Sequence, residues 1–164
     1  MNTGLLAERL QMDAMPGDLV KAAEWVTNKL LADIVRGRIE KPTLVVLGRR
    51  ASRWELGTAE TDLGDLLRSI CRHEAAHVAA LAHHQPLPPE VEGASSGWLI
   101  TVEDALNRMD VLVAMKGDEE GSPFRVFTKP PISMMPRWIG RDPTLEVDLT
   151  AALAGLQLSA TGDA

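Results

Sequence analysis

The chain has 164 residues, enough for one domain with a buried core. Its apolar fraction of 45% and charged fraction of 24% are those of an ordinary globular protein. A net charge of −6 argues against binding to nucleic acid or to anionic membranes, because both require a positive field. The single cysteine excludes an intramolecular disulfide, and neither a signal-peptide core nor a membrane-spanning apolar run is apparent. We therefore expect a cytoplasmic protein with no nucleic-acid or membrane partner.

The first half of the chain begins with a predicted flexible arm, residues 1–17, and residues 18–164 are expected to form a single domain. Asp18 can cap a helix that runs to about Arg36, since apolar residues recur there at helical spacing. The β-branched run 43–47 then favours a buried strand. A polar connection over 49–57 follows, with room for a second strand.

The second half is predicted to contain two more helices. A long helix opens at Thr58 or Thr61 and continues to the proline cluster after Gln85. A capping box at 101–104, with Thr101 as N-cap, opens the next helix. Phe124–Thr128 alternates apolar and polar residues, as a strand does. Residues 150–158 suit a last short helix.

An HExxH pentad, residues 73–77, lies inside the predicted long helix. On a helix, His73 and His77 would lie one turn apart on the same face and could hold one Zn²⁺. Glu74 would sit beside the metal-bound water and act as its general base. The pentad therefore predicts a zinc site with Glu74 as the catalytic residue.

Residues 70–79, uncharged around the pentad except for Arg72, resemble the extended active-site signature of the zincin metallopeptidases. In the gluzincin branch, a second helix after a connection donates a glutamate as third ligand. This resemblance implies Glu103 as the third zinc ligand, with Asp104 and His83 as alternatives. His83 has the spacing of a metzincin ligand, but Ala80 replaces the glycine that breaks the helix in that motif.

The expected fold class is α+β, with a small β-sheet packed on a long HExxH-bearing helix and on a second capped helix. The expected function is a zinc-dependent hydrolase, a small metallopeptidase acting on a peptide or protein substrate. The alternative is a non-catalytic interaction or accessory protein, or a degenerate zincin, whose histidines are structural. Such a protein would use an exposed apolar patch, for which Trp98 and Trp138 are candidates. Nothing in the sequence specifies an oligomeric state.

Overall fold

The computed structural model describes residues 6–39, 41–56, 63–87, 96–116, 123–134 and 138–139. These residues form eight strands and two helices. In chain order they are β1 (Leu6–Leu10), α1 (Leu19–Val35), β2 (Thr43–Leu47), β3 (Ala51–Glu55), α2 (Leu63–His73), β4 (Val78–Pro86), β5 (Ser96–Glu103), β6 (Asn107–Met115), β7 (Phe124–Thr128) and β8 (Ile132–Ser133).

All eight strands belong to one sheet, in which every neighbouring pair is antiparallel. The strand order is β1-β3-β2-β4-β5-β6-β7, and β8 pairs with β6 alongside β7. Helix α1 joins β1 to β2, and α2 joins β3 to β4. The two edges of the sheet, within the described part of the chain, are therefore β1 on one side and β7 with β8 on the other.

Helix α1 forms as its sequence predicts. Asp18 has an extended backbone, and its carboxylate accepts a hydrogen bond of 2.8 Å from the N–H of Lys21. This satisfies one of the donors that every helix leaves unpaired at its N-terminus. Gly37, with φ +66°, follows the helix in a conformation that glycine adopts at little cost. Asp18 and Gly37 thus mark the two ends of a helix whose apolar side is buried.

The helices cover opposite faces of the sheet. The α1 face of the sheet carries, among others, Val45, Ile100 and Val111, which pack with α1 in one core cluster. The α2 face carries Leu44, Leu81 and Leu99, which pack with α2 and with Trp138 in a second cluster. Strands β2 and β5 are buried along their whole length because they are covered on both faces.

The predicted fold class is wrong: a large antiparallel sheet takes the place of the long HExxH helix and the second capped helix. Helix α2 ends at His73, and the chain continues from Val78 as strand β4. The supposed capping box ends strand β5. Its Asp104 carboxylate accepts hydrogen bonds from the N–H groups of Leu106 and Asn107, which closes a tight turn into β6.

The remaining predicted elements can be compared with the structure one at a time. Strands over 43–47 and 124–128 and the helix after Asp18 are confirmed. Part of the predicted N-terminal arm, Leu6–Leu10, is strand β1 and pairs with β3. The predicted helix at 150–158 lies outside the described residues. Within the described ranges, no helix is long and apolar enough to cross a bilayer.

Gly48 is the point where the turn after α2 passes closest to the sheet. A Cβ at this position would lie 2.7 Å from the carbonyl oxygen of Ala75 and nearer still to that of Glu74. The N–H of Arg49 donates to the Glu74 carbonyl (3.3 Å), and the N–H of His77 donates to the Leu47 carbonyl (2.7 Å). Only a residue without a side chain allows these backbone segments to approach so closely.

Gly48→Ala should therefore lower the free energy of unfolding by about 1–3 kcal/mol or more, because backbone rather than a flexible side chain must move. Gly17→Ala is the matched control, since a Cβ there meets nothing within 4 Å. Urea unfolding of both variants measures the difference. Equal stabilities for the two would contradict the close approach.

Candidate functional site

The HExxH pentad forms the C-terminal cap of helix α2 and not the middle of a helix. The N–H of Ala76 donates to the Cys71 carbonyl (2.9 Å) and the N–H of Ala75 to the Arg72 carbonyl (3.2 Å). Ala75 has a left-handed backbone, φ +51°. This is the Schellman arrangement, in which the residue after the cap reverses the chain, usually as glycine. The pentad is thus a helix-to-strand turn.

The predicted ligands His73 and His77 are exposed, whereas the predicted base Glu74 is buried. The side chain of His73 is 72% exposed at the C-terminal end of α2, where a basic side chain interacts favourably with the helix dipole. His77 is also exposed, beyond the turn. Glu74 is buried, and its Oε2 lies 4.0 Å from Nε2 of His73. The one-turn stacking that would aim two imidazoles at a common ion is absent from residues 73–77.

Glu103, the predicted third ligand, lies on strand β5 on the α2 face of the sheet, fully buried. Its Oε2 accepts hydrogen bonds from the N–H groups of Trp138 (3.0 Å) and Ile139 (3.3 Å). Arg108, also buried, lies directly opposite it on β6. Opposite charges on facing residues stabilise a strand pair. Glu103 therefore fixes the 138–139 segment against the sheet.

The alternative third ligands, His83 and Asp104, are also not placed to complete a site with His73 and His77. His83 follows His77 by six residues of mostly extended chain, a separation of about 20 Å. Burial lowers the pKa of His83, and the neighbouring His84 lowers it further. Asp104 has its carboxylate engaged in the β5–β6 turn.

These donors do not fit a zinc site of the predicted kind. Across the described residues, no group of three His, Cys, Asp or Glu side chains converges in the way that a metal ion requires. The buried carboxylate of Glu103 is directed at backbone N–H groups, and the two histidines stand exposed on either side of a turn.

Cys71 lies on the buried side of α2, within the cluster that contains Trp138. Burial raises the pKa of its thiol, and the nearby Glu103 carboxylate raises it further. A thiol in this state is a poor nucleophile, because the thiolate is the reactive form. Cys71 is thus a core residue, as its place on an apolar stripe indicates.

The surface that stands out is the sheet edge at β7. All five β7 residues are exposed, whereas β2 and β5 are entirely buried. Among the described residues, seven large apolar side chains are exposed, and four of them belong to this edge: Phe124, Val126, Phe127 and Ile132. We call these four residues the edge surface. Neither of the two described helices reaches over β7, and the side chains of the edge surface are exposed.

A groove of about 420 Å³ runs between α1 and β7 on the α1 face of the sheet. Its walls are largely apolar and include Val20, Leu31, Val111 and Val126. Thr27 also lines it. The hydroxyl oxygen of Thr27 is itself buried, so the surface that the groove offers to an occupant is mainly apolar.

The sequence prediction placed an exposed patch around Trp98 or Trp138, and this is wrong because both indoles are buried. The usable signal was in β7 itself. Phe124 and Val126 place apolar side chains on one face of the strand, and Phe127 places one on the other face. At least one of these faces therefore requires cover from another segment or another molecule.

Searches against models of protein families, curated proteins and solved structures return no match. No family is therefore shown for the chain.

Ala75→Gly distinguishes the turn from a helical pentad by the sign of its effect. Because Ala75 is left-handed, glycine should raise the free energy of unfolding by about 1 kcal/mol. In a helix, the same change would cost about 1 kcal/mol. Ala32→Gly, at an exposed position within α1, is the control and should destabilise. A loss of stability in Ala75→Gly, measured by urea unfolding, would favour the helical pentad.

Glu103→Ala should lower the free energy of unfolding by about 3 kcal/mol, because two buried N–H groups lose their acceptor. Glu103→Gln keeps an acceptor oxygen and should cost less. The thiol of Cys71 reports on the same cluster, so its rate of alkylation should increase in Glu103→Ala. Unchanged stability and alkylation in both variants would show that Glu103 does not fix the 138–139 segment.

Proposed function

We propose that the chain is a non-catalytic interaction module that binds an extended, largely apolar segment of protein as an additional strand at β7. One observation carries this proposal: within the described part of the chain, β7 is an end strand of the sheet and its residues are exposed on both faces, whereas the inner strands β2 and β5 are buried. Exposed apolar edge strands pair readily with other chains. Strand addition of this kind is a common mode of peptide recognition.

The backbone N–H and C=O groups of β7 point in the directions that strand addition requires. The N–H of Lys129 donates to the Asp110 carbonyl, and the carbonyl of Pro123 accepts from the N–H of Lys116. Backbone groups alternate in direction along a strand, so the odd-numbered residues of β7 face β6. The N–H and C=O groups of Phe124, Val126 and Thr128 therefore point away from the sheet, where an added strand would find them.

The side chains of an added strand would meet apolar surface on both faces. On the α1 face, alternate side chains would lie beside Val126 and enter the groove lined by Val20 and Leu31. On the α2 face, the others would lie beside Phe127, which is 40% exposed. These features favour an apolar strand over a charged one.

The zinc hydrolase stays a prediction from the pentad, and its test is direct. If the hydrolase is correct, the purified protein should contain about one zinc per chain and should lose it in His77→Ala. The interaction module instead requires that His77→Ala leave metal content and stability unchanged, since His77 is exposed.

Val126→Pro is the sharpest test of the interaction module. It removes an N–H that points outward, so it should block strand addition while leaving the β6–β7 hydrogen bonds intact. The probe is a fluorescent peptide of alternating valine and threonine with one terminal lysine. We expect the unmodified chain to bind it and Val126→Pro to bind at least roughly tenfold more weakly. Fluorescence anisotropy measures both.

Phe127→Pro is the matched control, because the N–H at this position faces β6. It should lower the free energy of unfolding by about 1 kcal/mol or more, whereas Val126→Pro should leave it nearly unchanged. Peptide binding that is absent in the unmodified chain, or equal in the unmodified chain and Val126→Pro, would contradict the proposed function.

A further inference from the structure

We propose that the segment bound by β7 carries one basic side chain, a lysine or an arginine, which enters the groove between α1 and β7 and pairs with Glu24. This inference rests on the proposed function and names the chemistry of its ligand. Glu24 lies on α1 and lines the groove together with Val20, Asn28 and Val126. Among the described residues that line the groove, Glu24 is the only one with a charge.

The carboxylate of Glu24 is free to receive a cation. Glu24 is exposed, and within the described part of the chain it forms no ion pair, either with Lys21 one turn earlier or with another basic side chain. The ammonium nitrogen of Lys29 lies 5.2 Å from the centre of the Trp25 ring instead. A ligand that covers the groove would remove water from the Glu24 carboxylate, which costs free energy unless a cation takes the place of the water.

The β7 backbone places alternate side chains of an added strand beside the groove. Phe124, Val126 and Thr128 have outward-facing backbone groups, and two of them, Val126 and Thr128, also line the groove. Residues directly opposite each other on neighbouring strands have their side chains on the same face of the sheet. The added residue opposite Val126 or Thr128 therefore has its side chain on the α1 face, next to the groove.

Only a long side chain can enter the groove from that position. An added strand would lie about 5 Å beyond β7, whereas Glu24 lies on the helix that packs against Met109 and Val111 of β6. The aliphatic stem of a lysine or arginine can lie along the apolar wall at Val20 and Val126 while its charged end stays at the exposed carboxylate. A methionine would reach the same wall without a charge, and a glutamate would repel Glu24. Both should therefore bind more weakly than a basic residue.

Three versions of the valine–threonine peptide test this inference by fluorescence anisotropy. They differ at one central valine, which becomes lysine, methionine or glutamate. The fluorophore is attached to the amine of the terminal lysine, which removes that charge. We expect the unmodified chain to bind the lysine peptide about three- to fivefold more tightly than the methionine peptide, and the glutamate peptide most weakly. The preference for lysine should decrease as salt is raised, since the pair is partly exposed.

Glu24→Gln removes the charge but keeps a good helix former of the same shape, so it should bind the lysine and methionine peptides equally. Glu8→Gln is the matched control, because it makes the same change in net charge at an exposed position. Glu8 lies on β1, at the opposite edge of the sheet and roughly 25 Å from the groove. Glu8→Gln should therefore keep the full preference for lysine.

A preference for lysine that persists in Glu24→Gln, or that both variants reduce equally, would overturn the pairing with Glu24. Equal binding of all three peptides by the unmodified chain, with loss of binding in Val126→Pro, would overturn the basic ligand and leave the proposed function standing. No binding of any of the three peptides would overturn both.

Discussion

Within the described part of the chain, two helices cover the middle of the sheet and leave strand β7 exposed, and the distribution of exposed apolar surface follows that pattern of cover. Helix α1 covers the middle strands on one face, and α2 with the 138–139 segment covers them on the other. Strands β2 and β5 are consequently buried throughout, and their backbone groups are paired on both sides. Strand β7 lies beyond the reach of both helices and keeps apolar side chains in water. The proposed function is a consequence of this unequal cover.

The turn that carries the HExxH pentad shows why a short motif needs its structural context. The pentad predicts a metal site only when both histidines share a helical face. Here the helix ends within the motif, through a cap whose left-handed residue is Ala75. The close approach of this turn to Gly48 and the bond from His77 to Leu47 hold it against the end of β2. Residues 73–77 therefore have a structural account that requires no metal.

Much of the first half of the fold was predictable because its signals are local. Asp18 caps the start of α1, and Gly37 supplies the left-handed backbone that follows its end. The run 43–47 has β-branched residues at its centre.

Strand β4 was not predictable in the same way. Its alanines favour a helix locally, but the chain at this point is buried between β2 and β5, and pairing with both overrides that propensity. Strand β6 did carry a signal, since Met109, Val111 and Val113 alternate with period two. The apolar side chains on both faces of β7 are a local signal that the strand needs cover, but which strands the described helices leave uncovered depends on the tertiary fold.

Amide hydrogen exchange along β7, followed by NMR with and without the valine–threonine peptide, tests the central claim most directly. The amides of Arg125 and Phe127 face β6 and should be protected in both samples. Those of Val126 and Thr128 face outward and should exchange rapidly in the free chain and slowly in the presence of the peptide. Slow exchange of Val126 and Thr128 without the peptide would show that the edge is already covered within one chain. That result would contradict the account.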